Sequence, residues 1–220
     1  IKLLDVPVVV SILKGMNLFN PRWSKKIRKT KVEVEYILLL NKEEVHKLSE
    51  EEIFARLQNT LKHDEVAYQK KNKNIIHSDR KAEHINHALY LCPDCHAIDP
   101  FRVGGNSFTC CNCNYDIHIN DYGFFERIST GKLHFDNIRD WYYWQEKYLL
   151  EDIQKKFEIG YQDCLFEDKG SKIYYGKEDA DLQSIGQADV KLFMDRIDLC
   201  FQENSKQITF NFNDLQAINP

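Results

Sequence analysis

Four of the seven cysteines stand in two C-x2-C pairs, Cys92-Pro93-Asp94-Cys95 and Cys110-Cys111-Asn112-Cys113, with fourteen residues between them. Thiolates at this spacing are metal ligands. A Zn²⁺ ion takes four of them in a tetrahedron at about 2.3 Å. A C-x2-C turn aims two sulfurs at one point, and a hairpin brings the second pair beside the first. The interval is one residue below the usual span of about fifteen to twenty, which a hairpin loop absorbs. Gly104-Gly105-Asn106 lies where that hairpin must turn. Residues 88–127 therefore read as a zinc ribbon, with Cys92, Cys95, Cys110 and Cys113 holding a structural Zn²⁺. Chance pairs or disulfides are the competing readings. Cys111 with Cys113 makes a C-x-C knuckle of poorer geometry, and His118 reads as an ordinary strand residue.

The elements that must position these sulfurs follow from the local pattern. Leu89 and Leu91 lead in, Phe101 and Phe108 face the hairpin interior, and Tyr115, Ile117 and Ile119 alternate on the last strand. Forty residues bury little core, so the metal supplies folding energy, about 10–16 kcal/mol in peptide systems. Zinc ribbons serve several purposes, so the function has to come from the rest of the chain.

With 43% hydrophobic and 29% charged residues the chain is globular, of a size for one to three small domains. A net charge of −4 gives no global attraction to nucleic acid. The ribbon carries Arg102 against Asp94, Asp99 and Asp116, which also argues against a nucleic-acid partner. The odd cysteine count with four in metal spacing points to a reducing compartment, leaving Cys111, Cys164 and Cys200 as free, buried thiols. No run reaches the ~18 apolar residues of a spanning helix.

In chain order, residues 6–13 (VPVVVSIL) and 32–40 (VEVEYILLL) read as strands. The first is apolar on both faces, as in a parallel sheet covered by helices, so further strands are expected outside this sequence. Between them Arg22, Lys25, Lys26, Arg28, Lys29 and Lys31 interleave with Trp23 and Ile27. A solvated basic loop is one reading. Contact with anionic phospholipid through Arg22, Trp23, Lys25, Lys26, Arg28 and Lys29 is another, each basic residue contributing about 1 kcal/mol. Nucleic acid is the third.

Residues 41–87 read as a helical linker. Ser49 with Glu52 forms a capping box, and Ile53, Phe54, Leu57, Leu61 and Val66 make the apolar stripe of one amphipathic helix of about six turns. Residues 71–82 are polar, and His77, His84 and His87 have no metal spacing. Residues 136–159 read as a second, aromatic helix, capped by Asp136, with Ile138, Trp141, Trp144 or Gln145, Tyr148, Ile153 and Phe157 along one face and Gly160 as its stop. From residue 160 the period changes to two. CLFE, KIYYG, DVKLFMD, RIDLCF and QITFNF read as short strands turning at Asp168-Lys169-Gly170, Met194-Asp195 and Asn204-Ser205. This is an antiparallel β domain, faintly like a pleckstrin-homology domain in pattern.

The order of the first 150 residues resembles the end of the glycerolipid acyltransferase family, the 1-acylglycerol-3-phosphate acyltransferases. The resemblance rests on the Pro7-centred strand, a Lys-Gly turn, the basic Pro-Arg-Trp stretch, a second strand, helices, the ribbon, and Asn120-Asp121-Tyr122-Gly123-Phe124-Phe125-Glu126. It implies a fold class of α+β: the remnant of an α/β acyltransferase domain over residues 1–40, the helical linker, the ribbon, the aromatic helix and the β domain. It also implies that Pro7 helps shape a substrate site. The whole protein would move an acyl chain from acyl-CoA or acyl carrier protein to a lysophospholipid hydroxyl, as a cytoplasmic protein peripheral to the inner face of the cell membrane.

The family's H-x4-D motif, its His a general base and its Asp the orienting group, is absent. Of the eight histidines none has Asp five positions on, and His46 with Glu51 lies in a Glu-rich helix start. The Gly-rich and Arg-containing phosphate motifs are absent too. The catalytic half is expected upstream of Ile1, and this stretch alone is expected to be inactive. The alternative is a non-enzymatic zinc-ribbon adaptor binding protein or nucleic acid.

Overall fold

A computed structural model describes residues 6–176, 181–203 and 205–215. The fold is mixed α and β with antiparallel sheets, in two compact units, residues 1–148 and 149–220.

The first unit begins with β1 (Val8–Lys14) paired to β2 (Glu33–Leu40), antiparallel, in register from Val8↔Leu40 to Lys14↔Glu33. The doubly apolar strand thus pairs antiparallel, and among the described residues no third strand joins it. Its covered face carries Val10, Leu39 and Leu40, packed on Val45 and Ile53. The opposite face leaves Val9, Leu13, Val34, Tyr36 and Leu38 exposed.

Gly15 turns the chain out of β1 into the single-turn α1 (Met16–Phe19) with φ +82°. A Cβ there would stand 2.6 Å from the Lys31 carbonyl oxygen. Its N–H is held by both carboxylate oxygens of Glu65, at 3.0 and 2.9 Å. Gly15→Ala adds left-handed strain to that clash, and thermal unfolding of the variant is expected to show a loss of about 1–3 kcal/mol.

The single six-turn helix is three helices: α2 (Lys42–Lys47), α3 (Glu50–Leu61) and α4 (Glu65–Asn72). The Ser49–Glu52 capping box forms as read, and it is what breaks the run, because a cap fixes an extended residue before a new first turn. Asn41 with Glu44, and Asp64 accepting from the Ala67 N–H, start the other two. The apolar stripe is correspondingly shorter. Ile53 is buried, whereas Phe54 and Leu61 are exposed.

The second core lies in the ribbon. Strands β3 (Phe101–Gly104), β4 (Ser107–Cys110), β5 (Asp116–Ile119) and β6 (Phe125–Arg127) form one antiparallel meander. The β3–β4 turn is Gly105-Asn106, with Gly105 at φ +55°. Onto this sheet packs the start of α5 (Ile138–Glu158). Its cap is Asn137, whose Oδ1 accepts the Asp140 N–H at 3.0 Å. Asp136, read as the cap, instead takes the Lys70 ammonium at 2.7 Å. Gly160, at φ +66°, ends the helix.

In the second unit, β7 (Phe166–Tyr175), β8 (Gln183–Leu192), β9 (Arg196–Phe201) and β10 (Gln207–Asn211) form an open four-stranded meander in the order β10-β9-β8-β7. The Met194-Asp195 turn is present. Asp168-Lys169-Gly170 is not a turn. It is a bulge inside one long strand, with Gly170 at φ +68° and its N–H bonded to Asp189 Oδ1 at 2.9 Å. Asn204 lies outside the described residues. Among the described residues no helix is long and apolar enough to cross a membrane.

Candidate metal centre

Two similar turns build the cluster. In the first, the Cys92 N–H donates to the Ala97 carbonyl and the His96 N–H to the Cys92 carbonyl, both at 3.0 Å. In the second, the Cys110 N–H donates to the Tyr115 carbonyl at 2.8 Å and the Asn114 N–H to the Cys110 carbonyl at 3.0 Å. Each knuckle ends in a left-handed residue four positions after its first cysteine, His96 at φ +56° and Asn114 at φ +63°. Asn and His enter that region more readily than most side chains. Strands β3 and β4 bring the knuckles together.

The four Sγ atoms lie within 4.8 Å of one another. Cys92 to Cys113 and Cys95 to Cys110 are each 3.6 Å. Sulfurs around a tetrahedral Zn²⁺ are separated by about 3.8 Å, given a metal–sulfur length of about 2.3 Å. All seven cysteines are free, so disulfide pairing is not present. The residues therefore fit a four-thiolate metal ion, and among the described residues this is the cluster with that capacity.

The protein surroundings act unevenly on three of these thiols. Burial holds Cys92 well above the ordinary thiol range, against hydrogen bonds from the Cys95 and Asp94 N–H groups. Burial also pushes Cys113 up to about 11. At Cys95 the burial effect is outweighed by the Asn112 side chain and the Ala97 N–H, and the thiol falls to about 7. The N–H groups aimed at sulfur are the donors that stabilise thiolates once a dication shares the site.

Helix α5 fixes the first knuckle from behind. Trp141 is fully buried, its Nε1 donating to the Leu91 carbonyl at 2.9 Å. Its ring lies 5.6 to 6.0 Å from those of Phe101, Phe108, Phe125, Phe135 and Tyr115. Gln145, also fully buried, accepts the Tyr90 and Leu91 N–H groups at 3.1 and 3.4 Å and donates to the Ala88 carbonyl at 2.6 Å. Three backbone groups directly before Cys92 are thereby satisfied by one side chain. The sequence placed Gln145 on the aromatic face, but only the packed structure shows what it binds.

The remaining sequence candidates disperse. Cys111 is exposed, and Cys164 and Cys200 are half-buried, so none of the three is the fully buried thiol expected. The His118 Nδ1 meets Ser107 Oγ at 3.2 Å, away from the cluster. Pro7 is exposed just ahead of β1. In the basic loop Arg22, Lys25, Lys26 and Lys29 are exposed, Trp23 is half-buried against the ribbon core, and Arg28 is buried at 6% exposure. Comparison with protein-family models, with curated proteins and with solved structures finds no match for this chain.

Proposed function

We propose that the chain is the scaffold portion of a glycerolipid acyltransferase, its ribbon closed by a structural Zn²⁺ at Cys92, Cys95, Cys110 and Cys113. A closed tetrahedral four-thiolate set built from two C-x2-C knuckles is the ligand set of structural zinc sites, although iron also takes it. When bound, the ion supplies folding energy and no reaction step. The family part of the reading is supported by the order of segments: Pro7 strand, basic loop, second strand, helices, ribbon, then Asn120 to Glu126.

One structural observation supports treating that order as a unit. Asn120 to Glu126 is a tight turn whose Asn120 Oδ1 accepts the Tyr122 and Phe124 N–H groups, both at 3.0 Å. Gly123 stands at φ +83°, where a Cβ would come within 2.9 Å of Ile76. The Tyr122 carbonyl accepts from Gln69 of α4 at 2.8 Å, and the Asp121 carbonyl from the Ile76 N–H at 2.7 Å. The segment that resembles the family thus ties linker to ribbon. In this reading the exposed Arg22, Lys25, Lys26 and Lys29 face anionic phospholipid, and the protein is peripheral to the inner face of the membrane. The acyl chain moves from acyl-CoA or acyl carrier protein to a lysophospholipid hydroxyl on a site supplied by other sequence.

The adaptor reading has one observation in its favour, the exposed apolar face of β1 and β2, which would suit a protein partner. An upstream reading frame decides between them. An H-x4-D motif within the preceding ~150 residues, a domain's length, is the expected finding, and an upstream domain without it would overturn the acyltransferase reading. The purified 220-residue chain is expected to show no acyl transfer with acyl-CoA and a lysophospholipid, while sedimenting with vesicles that contain anionic lipid and not with neutral ones. Measurable transfer, or equal binding to both vesicles, would contradict the corresponding part.

A further inference from the structure

A cavity of about 720 Å³ lies inside the first unit, between the basic loop, α4, the Asn120 turn and the start of α5. That is the size of a small-molecule site. Much of its wall is apolar, including Leu18, Ile119, Phe124 and Ile138. Its polar groups are unbalanced in one direction.

The carboxylates on the wall are all engaged. Asp64 accepts from Arg139 at 2.5 Å and from the Ala67 N–H at 2.9 Å. Asp140 accepts from Arg139 and from Asn137, at 2.9 and 2.7 Å. Glu65 holds the Gly15 N–H with both oxygens. The donors are not all engaged. Trp23 Nε1 and Arg28 Nε are buried without an acceptor. His63 Nε2 makes no hydrogen bond but stands 3.4 Å from a Glu65 carboxylate oxygen, so it is not counted with them.

Arg28 is the central case. Its Nη2 donates to the Lys81 carbonyl at 2.8 Å, and its Cζ lies 5.8 Å from the centre of the Trp23 ring. Among the described residues no carboxylate pairs with it. Burial alone lowers its pKa to about 10, with no acid to offset the effect. The other buried cation on the wall, Lys81, does have a partner, Asp121 at 3.0 Å. A buried guanidinium without an anion is costly unless something supplies one.

We propose that this cavity binds a small anionic amphiphile, its phosphate or carboxylate head accepting hydrogen bonds from Arg28 and Trp23 and its apolar body held by the wall formed with Leu18, Ile119, Phe124 and Ile138. A planar guanidinium beside an indole N–H matches an oxyanion, and a bare inorganic anion would leave the apolar wall uncovered. The site does not depend on the acyltransferase reading, and its ligand need not be that reaction's substrate.

The test is titration calorimetry on the full metal-loaded chain with four probes: octyl phosphate, octanol, octyltrimethylammonium and inorganic phosphate. Octyl phosphate is expected to bind one site saturably, and each of the other three at least about tenfold more weakly, as loss of a charge-assisted hydrogen bond or of the apolar contact requires. Arg28→Gln is expected to weaken octyl phosphate at least about tenfold with metal content and circular dichroism unchanged. Trp23→Phe, which keeps the ring and removes the N–H, is expected to weaken it several-fold and decides the matter if Arg28→Gln does not fold. Octanol binding as tightly as octyl phosphate would overturn the proposal, as would inorganic phosphate doing so. Absence of saturable octyl phosphate binding, or unchanged affinity in the folded variants, would overturn it equally.

Discussion

Cys110→Ser is expected to unfold the ribbon, and chelation of the metal from the unsubstituted chain to do the same. Cys110 is fully buried at the end of β4, 3.6 Å from Cys95 and packed within the core that holds Phe108 and Trp141. Serine leaves three thiolates and a buried hydroxyl. With structural zinc worth about 10–16 kcal/mol in small domains, and whole domains stable by only about 5–15 kcal/mol, losing the site exceeds the reserve. Near-ultraviolet circular dichroism and tryptophan emission follow the loss. Cys111→Ser is the control. Cys111 is exposed and outside the cluster, so its change should stay within about 0.5 kcal/mol. Because the ligands must be deprotonated, acid should release the metal and unfold the same region in one transition.

Trp141→Ala is expected to cost about 3–5 kcal/mol, the range for removing a large buried aromatic side chain. Five rings lose their common neighbour, and the Leu91 carbonyl, one residue before Cys92, loses its donor. Trp141→Phe separates the two effects. It keeps most of the packing and leaves the carbonyl unsatisfied, for about 1–3 kcal/mol. Urea unfolding of the metal-loaded protein measures both. If the phenylalanine variant matched the parent, the Leu91 hydrogen bond would carry no weight in holding the knuckle.

What could be read from the sequence was what local chemistry dictates. The cysteine spacing, the Gly105-Asn106 turn, the alternation of Tyr115, Ile117 and Ile119, and the Ser49–Glu52 box are each decided within a few residues. Sequence pattern and structure part where two local signals compete or where tertiary partners decide. Residues 41–74 keep one apolar period, but after Asn41 starts the first helix, Ser49 and Asp64 each start a new one. Asp136 and Asn137 are both good caps, and Lys70 claims the first of them. Asp168-Lys169-Gly170 has turn composition, yet Asp189 on β8 stabilises it as a bulge. The inward turn of Arg28 was hidden for the same reason. A basic residue among five others reads as solvated until the Lys81 carbonyl and the Trp23 ring are placed beside it.

Native mass spectrometry of the purified chain, with and without thiol alkylation, tests the central claim most directly. The account predicts one zinc ion per chain and four cysteines protected from alkylation until the metal is removed, leaving three that react. A metal-free folded chain whose seven thiols all alkylate, or a mass two hydrogens light from a disulfide between the paired knuckles, would contradict it.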